Sequence, residues 1–380
     1  MAVGIICEYN PFHYGHLYHL DETKRLFPNE EIILVMSTHF LERGDVSLLD
    51  KWTKTKIALE FGIDIVVELP FVFSSGSADI FAKGSIEILN NLNVNHIVFG
   101  SELGDIDVLY SVAKAKTCNK NFDELVTKSL DMGLSYPDAV GEAIFSISNV
   151  KISNPNDILG ICYITEIIKQ KAKIIPIAIK RTNDYNSKNL NSDIVSASAI
   201  RDALLKNIDI KKYVPKITYD YLQKGYNLTE EYFGLLKYKI ISELNNLDKY
   251  QSVDEGIENR IKKYIFISNS LEELIQNIKT KRYTYNRIKR MLIYILTGFT
   301  KEEKERNKSI RYIRVLGFGN KGQRYLNTIK KDTLVPIITK FSSIKDEMLD
   351  IEYRASSIYY INDLKLLETE YKNKPVIKDE

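Results

Sequence analysis

Cysteine, histidine and tryptophan are all scarce in this chain. Its three cysteines, Cys7, Cys118 and Cys162, stand far apart in 380 residues with no CxxC spacing. That spacing supports neither a disulfide framework nor a zinc ribbon, and buried free thiols are expected. No run approaches the roughly 18 apolar residues that a spanning helix needs. The first residues also lack a basic region followed by an apolar segment and a small-residue cleavage site. The expectation is a cytoplasmic chain with no membrane span. Neither sign of charge is in large excess, since 53 Lys and Arg face 50 Asp and Glu. At 44% hydrophobic and 27% charged, the composition is that of an ordinary globular protein, long enough for two domains.

The near-neutral total conceals a division along the chain. From Lys279 to Lys331 there are sixteen Lys and Arg against three Glu, which leaves 37 bases and 47 acids elsewhere. One segment carries +13 and the remainder −10. Such polarity suits a polyanionic partner such as a nucleic acid, and a lysine-rich solubilising surface is the other reading.

The first two hundred residues alternate two kinds of pattern. "AVGIICEYN", "EEIILVMS", "GIDIVVELP", "VNHIVFGSE" and "KIIPIAIK" are continuous apolar runs of strand length, as in strands buried on both faces. Helical patterns separate them at Tyr14 to Leu26, Lys51 to Phe61 and Ser77 to Leu92. This alternation predicts an α/β fold with a doubly wound parallel sheet, whose ligands bind where the strands end. After about Lys211 the spacing turns helical, with only "TLVPIITKF" suggesting a late strand. The predicted division is an α/β domain over residues 1–210 and a mostly helical, basic domain over 211–380.

Three of the five histidines fall in "GIICEYNPFHYGHLYHL", from Gly4 to Leu20, directly after the first predicted strand. His13 and His16 are three apart, so they share one face at a helix N-terminus, where the backbone dipole is positive. Gly15 between them removes a side chain where a ligand approaches. Such a pair is equipped to hold phosphate. A histidine at a helix start also serves as a cap, and His-x-x-His chelates zinc, although no Cys, Asp or Glu stands nearby at the required spacing. His19 continues the same face, His39 follows the second strand and is a further site candidate, and His96 reads as structural. Arg43, Lys51 and Lys54 form a basic group after the second strand, suited to phosphate or a nucleic acid, or else to a solvated helix face.

"HYGH" resembles the HxGH signature of the nucleotidyltransferase superfamily, and "SASAIR", Ser196 to Arg201, is similar to its second signature. More narrowly, "EYNPFHYGHLYHL", "VMSTHFLERGDVS", "KWTKTKIAL", "IVVELPF", "ADIFAKGSIEILN", "FGSE" and "PNDILG" resemble the bacterial tRNA(Met) cytidine acetate ligases. The likeness returns more weakly at "TKRYTYNRIKRMLIYILTG" and "YIRVLGF". It implies a nucleotidyltransferase-like domain that makes acetyl-adenylate from ATP and acetate, and then acetylates N4 of the wobble cytidine of elongator tRNA(Met). Mg2+ would accompany the ATP.

By match to the motifs, His13 and His16 would be catalytic. The ATP-binding set would comprise Ile6, Cys7, Glu8, Tyr9, Asn10, Pro11, Phe12, His13, Gly15, His16, His19, Gly100, Asn156, Arg181, Ser198 and Arg201. Each of the later positions has a plainer reading, with Gly100 as a turn, Asn156 and Ser198 as helix caps and Arg201 as a surface base. Lys281, Arg282, Arg287, Arg290, Arg311 and Arg314 would hold tRNA, with Tyr283 on the same helical face as Arg287 and Arg290 to stack a base. The chain departs from the family pattern at Tyr14, in "STHFLERGDVS", and after Arg181, where "TNDYNSKNL" replaces the usual "GAxYHD". Two alternatives use the same parts: a small-molecule cytidylyl- or adenylyltransferase, and a non-catalytic RNA-binding module.

Overall fold

The computed structural model describes residues 1–119, 121–134, 136–181 and 195–378. Five strands, β1 (Ala2–Cys7), β2 (Glu31–Ser37), β3 (Ile65–Leu69), β4 (His96–Ser101) and β5 (Ile175–Lys180), arise from the five apolar runs. All pair in parallel, with Ile5 beside Leu34, Val35 beside Val67 and Val98 beside Ile177. Alternate side chains of one strand enter different cores. Ile33 and Val35 of β2 join one cluster, while Ile32, Leu34 and Met36 join the other. Each such side chain gains roughly 1.5–3 kcal/mol by leaving water, so both faces hold the strand in register.

Helices Tyr14–Leu26, Lys51–Glu60 and Ala78–Asn91 follow β1, β2 and β3. The strand order is β5-β4-β1-β2-β3. The chain therefore runs outward from β1 to one side, then returns to lay β4 on the other. The end of β1 is the topological switch point, where a crevice opens.

The residues after 211 are mostly helical but do not form a separate core. β6 (Ile313–Gly319) pairs antiparallel with β3, and β7 (Ile337–Ile338) and β8 (Val376–Lys378) pair with β6. One hydrophobic cluster contains Val67 and Phe99 together with Leu292, Ile313 and Leu349. "YIRVLGFG", read as part of a helical region, is thus a strand, because its β-branched and aromatic residues complete an apolar sheet edge. The run from Leu271 to Phe299 is two helices, Leu271–Ile278 and Tyr285–Thr297, with a break between them. No helix among the described residues is long and apolar enough to cross a membrane.

Candidate functional site

The loop after β1 places the histidines. His13 is the N-cap of the first helix, and the amide of Gly15 donates to its Nδ1 at 2.9 Å. The amide of His13 in turn donates to Nδ1 of His16 at 3.4 Å. A nitrogen that accepts carries no proton, so each neutral ring has its hydrogen on Nε2. The cap thereby fixes both tautomers as Nε2–H donors. The two rings lie 3.9 Å apart, and Tyr9 meets His16 edge-on at 4.9 Å. Burial, followed by the charges of Arg181 and Arg201, pushes His13 down to about 3. Burial and then His13 push His16 well below the usual imidazole range. The imidazoles are therefore neutral at physiological pH, while Arg181 and Arg201 supply the positive charge.

Arg201 reaches the same loop from the helix Ala197–Leu205. Its Nη1 donates to the carbonyl of Asn10 at 2.7 Å, and its Nη2 lies 3.9 Å from Asp45. Asn10 holds the loop after β2 through Leu48, whose amide donates to Oδ1 at 2.8 Å. Its Nδ2 is buried with no protein partner among the described residues, as is Nε2 of His19, which burial pushes down to about 4. At the end of β4, a side chain on Gly100 would come within 3.3 Å of Cγ of Arg181, so the bare glycine leaves Arg181 its place. Asn156 is not the cap of its helix, a position that Asn154 occupies. Its Nδ2 donates to Glu102 at 2.6 Å.

These groups converge on a cavity of about 550 Å3, a size suited to a small-molecule ligand. Ile6, Cys7, Glu8, Tyr9, Asn10, His13, Gly15, His16, His19, Gly100, Asn156, Arg181 and Arg201 all line it. Pro11, Phe12 and Ser198 do not. Phe12 turns away into the core against Phe61, and the Ser198 hydroxyl lies 3.0 Å from that of Ser196. "TNDYNSKNL" lies outside the described residues.

Several expectations are corrected here. Lys51 and Lys54 are neither solvated nor in the cavity, because both are buried. Lys51 sits among Glu68 and Glu370, each at 2.7 Å, and Glu352 at 3.3 Å. The three carboxylates outweigh the burial that would strip its proton. Lys54 donates to the carbonyls of Glu8, Ser37 and Thr38 and so ties the ends of β1 and β2 together. Arg314 joins the Lys51 cluster at 1% exposure, paired with Glu68 and Glu370, and has no access to tRNA. It lies on β6, whereas Arg311 just before that strand is exposed and faces Asp346. Tyr283 is buried at 3% with its hydroxyl donating to the Asp254 carbonyl, which removes it as a stacking platform. Arg287 covers its ring at 3.9 Å instead.

His39 stacks on Tyr359 and lies 3.1 Å from Ser356, outside the cavity, whereas His96 packs on Phe27 near Glu30. Arg290 lines the cavity, with Nη1 donating to the Glu42 carbonyl at 3.2 Å. Arg43 lines it as well. Lys281 and Arg282 are exposed on the turn before the helix Tyr285–Thr297. Asp45, Glu42, Asp79 and Lys116 also line the cavity, and none of them was among the predicted site residues. The contiguity of Glu42 and Asp45 with Arg43 in "LERGD" was the available signal.

A loop with paired histidines at the switch point of a parallel sheet, with an arginine-bearing helix folded onto it, is the arrangement of a nucleotide-handling enzyme. Residues 1–374 match the HIGH Nucleotidyl Transferase family, to which the chain belongs. Within it, the chain is 38% identical to the tRNA(Met) cytidine acetate ligase of Geobacillus sp. (strain WCH70), over 99% of this chain and 100% of that protein. It is 40% identical to the ligase of the same name from Caldicellulosiruptor saccharolyticus, over 99% and 98%. The crystal structure of Thermotoga maritima TmcAL bound with alpha-thio ATP superposes with a TM-score of 0.90 at 29% identity, covering 99% of both chains. The chain is thus a member of the tRNA(Met) cytidine acetate ligase family.

Proposed function

We propose that this enzyme joins acetate to ATP as acetyl-adenylate and passes the acetyl group to N4 of the wobble cytidine of elongator tRNA(Met). The observation that carries the reading is the paired Nε2–H donors of His13 and His16 in one cavity with Arg181 and Arg201. The names of the relatives and the nucleotide-bound neighbour support it.

Free acetate is a poor acyl donor and the exocyclic amine of cytosine a weak nucleophile, so activation must come first. An acetate oxygen bonds to the α-phosphorus as the bridging oxygen toward the β-phosphorus departs with pyrophosphate. Negative charge grows on the α-phosphoryl oxygens, where two pre-oriented N–H donors stabilise it without reorganising. Neutral imidazoles suit this role because their protons are committed to hydrogen bonds rather than to transfer. Arg201 draws the leaving pyrophosphate, while Gly100, Asn156 and Arg181 form the side that takes the nucleoside. The cytidine amine then attacks the acetyl carbonyl, AMP leaves and the amine sheds a proton. No enzyme nucleophile is required.

No three His, Cys, Asp or Glu side chains among the described residues are grouped to cage a metal. Mg2+ would therefore enter as part of the substrate, ligated by the triphosphate and water. Exposed Lys281 and Arg282, with half-buried Arg287, present the charge for tRNA phosphates close to the cavity wall formed by Thr284, Asn286 and Arg290. Mass analysis of tRNA nucleosides after incubation with ATP and acetate tests the whole reading. N4-acetylcytidine dependent on both substrates is expected. Pyrophosphate release that needs a phosphorylated acceptor instead of acetate would make the enzyme a small-molecule nucleotidyltransferase, and no release at all would leave an RNA-binding module.

A further inference from the structure

The turn at residues 41–45, after β2, fastens a helix of the late basic segment to the nucleotide site. Within it the Gly44 amide donates to the Leu41 carbonyl at 2.9 Å, and the Leu41 amide donates to the Asp45 carbonyl at 3.0 Å. Gly44 has a φ of +74° and lies flat on the helix Tyr285–Thr297, where a side chain would come within 2.4 Å of the Arg290 amide nitrogen. On one side of the turn, the Glu42 amide donates to Oε1 of Glu8 at 2.8 Å, and Arg290 donates to the Glu42 carbonyl. On the other side, the Asp45 carboxylate lies between two cations. Lys289 donates to Oδ1, and Nη2 of Arg201 lies 3.9 Å from Oδ2. The three side chains are only 13% (Lys289), 17% (Asp45) and 22% (Arg201) exposed, so salt screens their charges weakly. Asp45 and Arg201 line the cavity, whereas Lys289 stands behind its wall.

A carboxylate at a triphosphate site works against binding, because it repels the phosphates and competes with them for the guanidinium. Arg201 with Asp45 alone would be a neutral pair. Lys289 restores one positive charge, and it draws Asp45 from the side away from the ligand. Burial would raise the Asp45 carboxyl, but Lys289 and then Arg201 outweigh it and hold the group below the usual carboxylate range. The carboxylate is therefore charged, and its charge must be met by one cation or the other. We propose that Lys289 is a positioning residue of the ATP site: by taking up the charge of Asp45, it leaves the Arg201 guanidinium available to the triphosphate. The inference rests on the reading above in which Arg201 meets the phosphates. It gives a member of the basic segment a role toward the nucleotide rather than toward tRNA. Without Lys289, Asp45 turns to Arg201 and occupies the group that the phosphates require.

The test is equilibrium binding of ATP to the full chain, with KM for ATP and kcat of acetate-dependent pyrophosphate release measured alongside. Lys289→Met should weaken ATP binding and raise its KM by about fivefold or more, with a smaller change in kcat. Asp45→Asn removes the competing carboxylate and should raise KM less. In Asp45→Asn/Lys289→Met the lysine has no charge left to take up, so the affinity should return to that of Asp45→Asn alone. That rescue distinguishes the proposal from a purely structural ion pair, whose loss lowers the melting temperature without moving ATP affinity. Unchanged ATP affinity in Lys289→Met would overturn the proposal, and so would effects of the two substitutions that simply add. Loss of tRNA affinity in place of ATP affinity would also overturn it and return Lys289 to the nucleic-acid surface. If Arg201→Met binds ATP as wild type does, the reading of Arg201 fails and takes the inference with it. That result is distinct from one in which Arg201→Met binds weakly and Lys289→Met binds normally, which refutes the role of Lys289 alone.

Discussion

Arg201 donates from Nη1 to the main-chain carbonyl of Asn10 at 2.7 Å, joining two signatures 191 residues apart. The guanidinium is thereby held over the loop that carries both histidines, and Asp45 at 3.9 Å steadies its other end. Arg201→Met is expected to raise the KM for ATP by about tenfold or more, because in the proposed mechanism it removes a charge-assisted bond to phosphate. Its effect on stability should stay near the ~1 kcal/mol of one hydrogen bond. Arg201→Lys should recover only part of the affinity, since an ammonium does not reproduce the planar fork. Initial-rate kinetics on the three proteins, with thermal melts alongside, check this.

His13 has two duties that substitution can separate. It caps its helix through Nδ1, and it offers Nε2–H to the cavity. His13→Ala should lose both, at about 1 kcal/mol of stability for the cap and about 2.7–4 kcal/mol of barrier for the donor. His13→Asn keeps a capping oxygen, so its melting temperature should approach wild type while adenylation stays slow. His16→Ala should resemble His13→Ala in rate. Wild-type acetate-dependent pyrophosphate release by any of them would contradict the assigned role.

Acid should destabilise the ligand-free enzyme through these same rings. His13 and His19 are held down to about 3 and about 4 by burial, whereas their unfolded counterparts take protons near 6.5. The unfolded chain thus binds more protons over that interval. Their contribution to stability is fully present above pH 6.5 and is lost as the pH falls through about 4 and then 3. The slope is at most about 1.4 kcal/mol per pH unit for each ring. Glu8 acts in the opposite sense, since burial raises its carboxyl to about 6 and it withdraws stability as pH rises through that range. Denaturant midpoints from pH 7.5 to 4 should fall more shallowly for His13→Asn than for wild type.

The buried Lys51, Arg314, Glu68, Glu352 and Glu370 cluster ties β3, β6 and two C-terminal helices together. Removing one member leaves uncompensated charge in the core. Arg314→Met should cost about 3–5 kcal/mol, seen as a large drop in melting temperature. At temperatures where that variant remains folded, its affinity for tRNA should match wild type, as expected of a residue with no access to the surface.

Charge reversal at Arg282 and Arg287 should weaken tRNA binding and acetyl transfer while sparing adenylate formation. For each phosphate no longer neutralised, the log–log dependence of affinity on salt should become shallower by about 0.7–0.9. Filter binding across a salt series provides the slope, and trapping of acetyl-adenylate without tRNA provides the separate first step. An unchanged affinity would mean that this basic surface serves solubility alone.

The sequence by itself determined the five parallel strands, the first helices to within a residue, and the loop that carries the histidines. These are local matters, because apolar period, strand length and a short histidine spacing depend on neighbours in the chain. The family signatures also identified part of the cavity lining, Gly100, Asn156, Arg181 and Arg201 among it. Only the tertiary structure decided what the basic residues do. Lys51, Lys54 and Arg314 look like surface charges in one dimension, and they are buried because carboxylates or carbonyls from distant elements surround them. Tyr283 has the look of a stacking ring in sequence, but Asp254 takes its hydroxyl and Arg287 covers its face. The apolar part of the cavity wall was likewise invisible, because Phe81, Phe99, Ile144 and Ile161 come from four elements and are ordinary core residues in sequence. Burial and pairing are properties of remote segments brought together, and a linear pattern records only which residues have the chemistry to meet in that way.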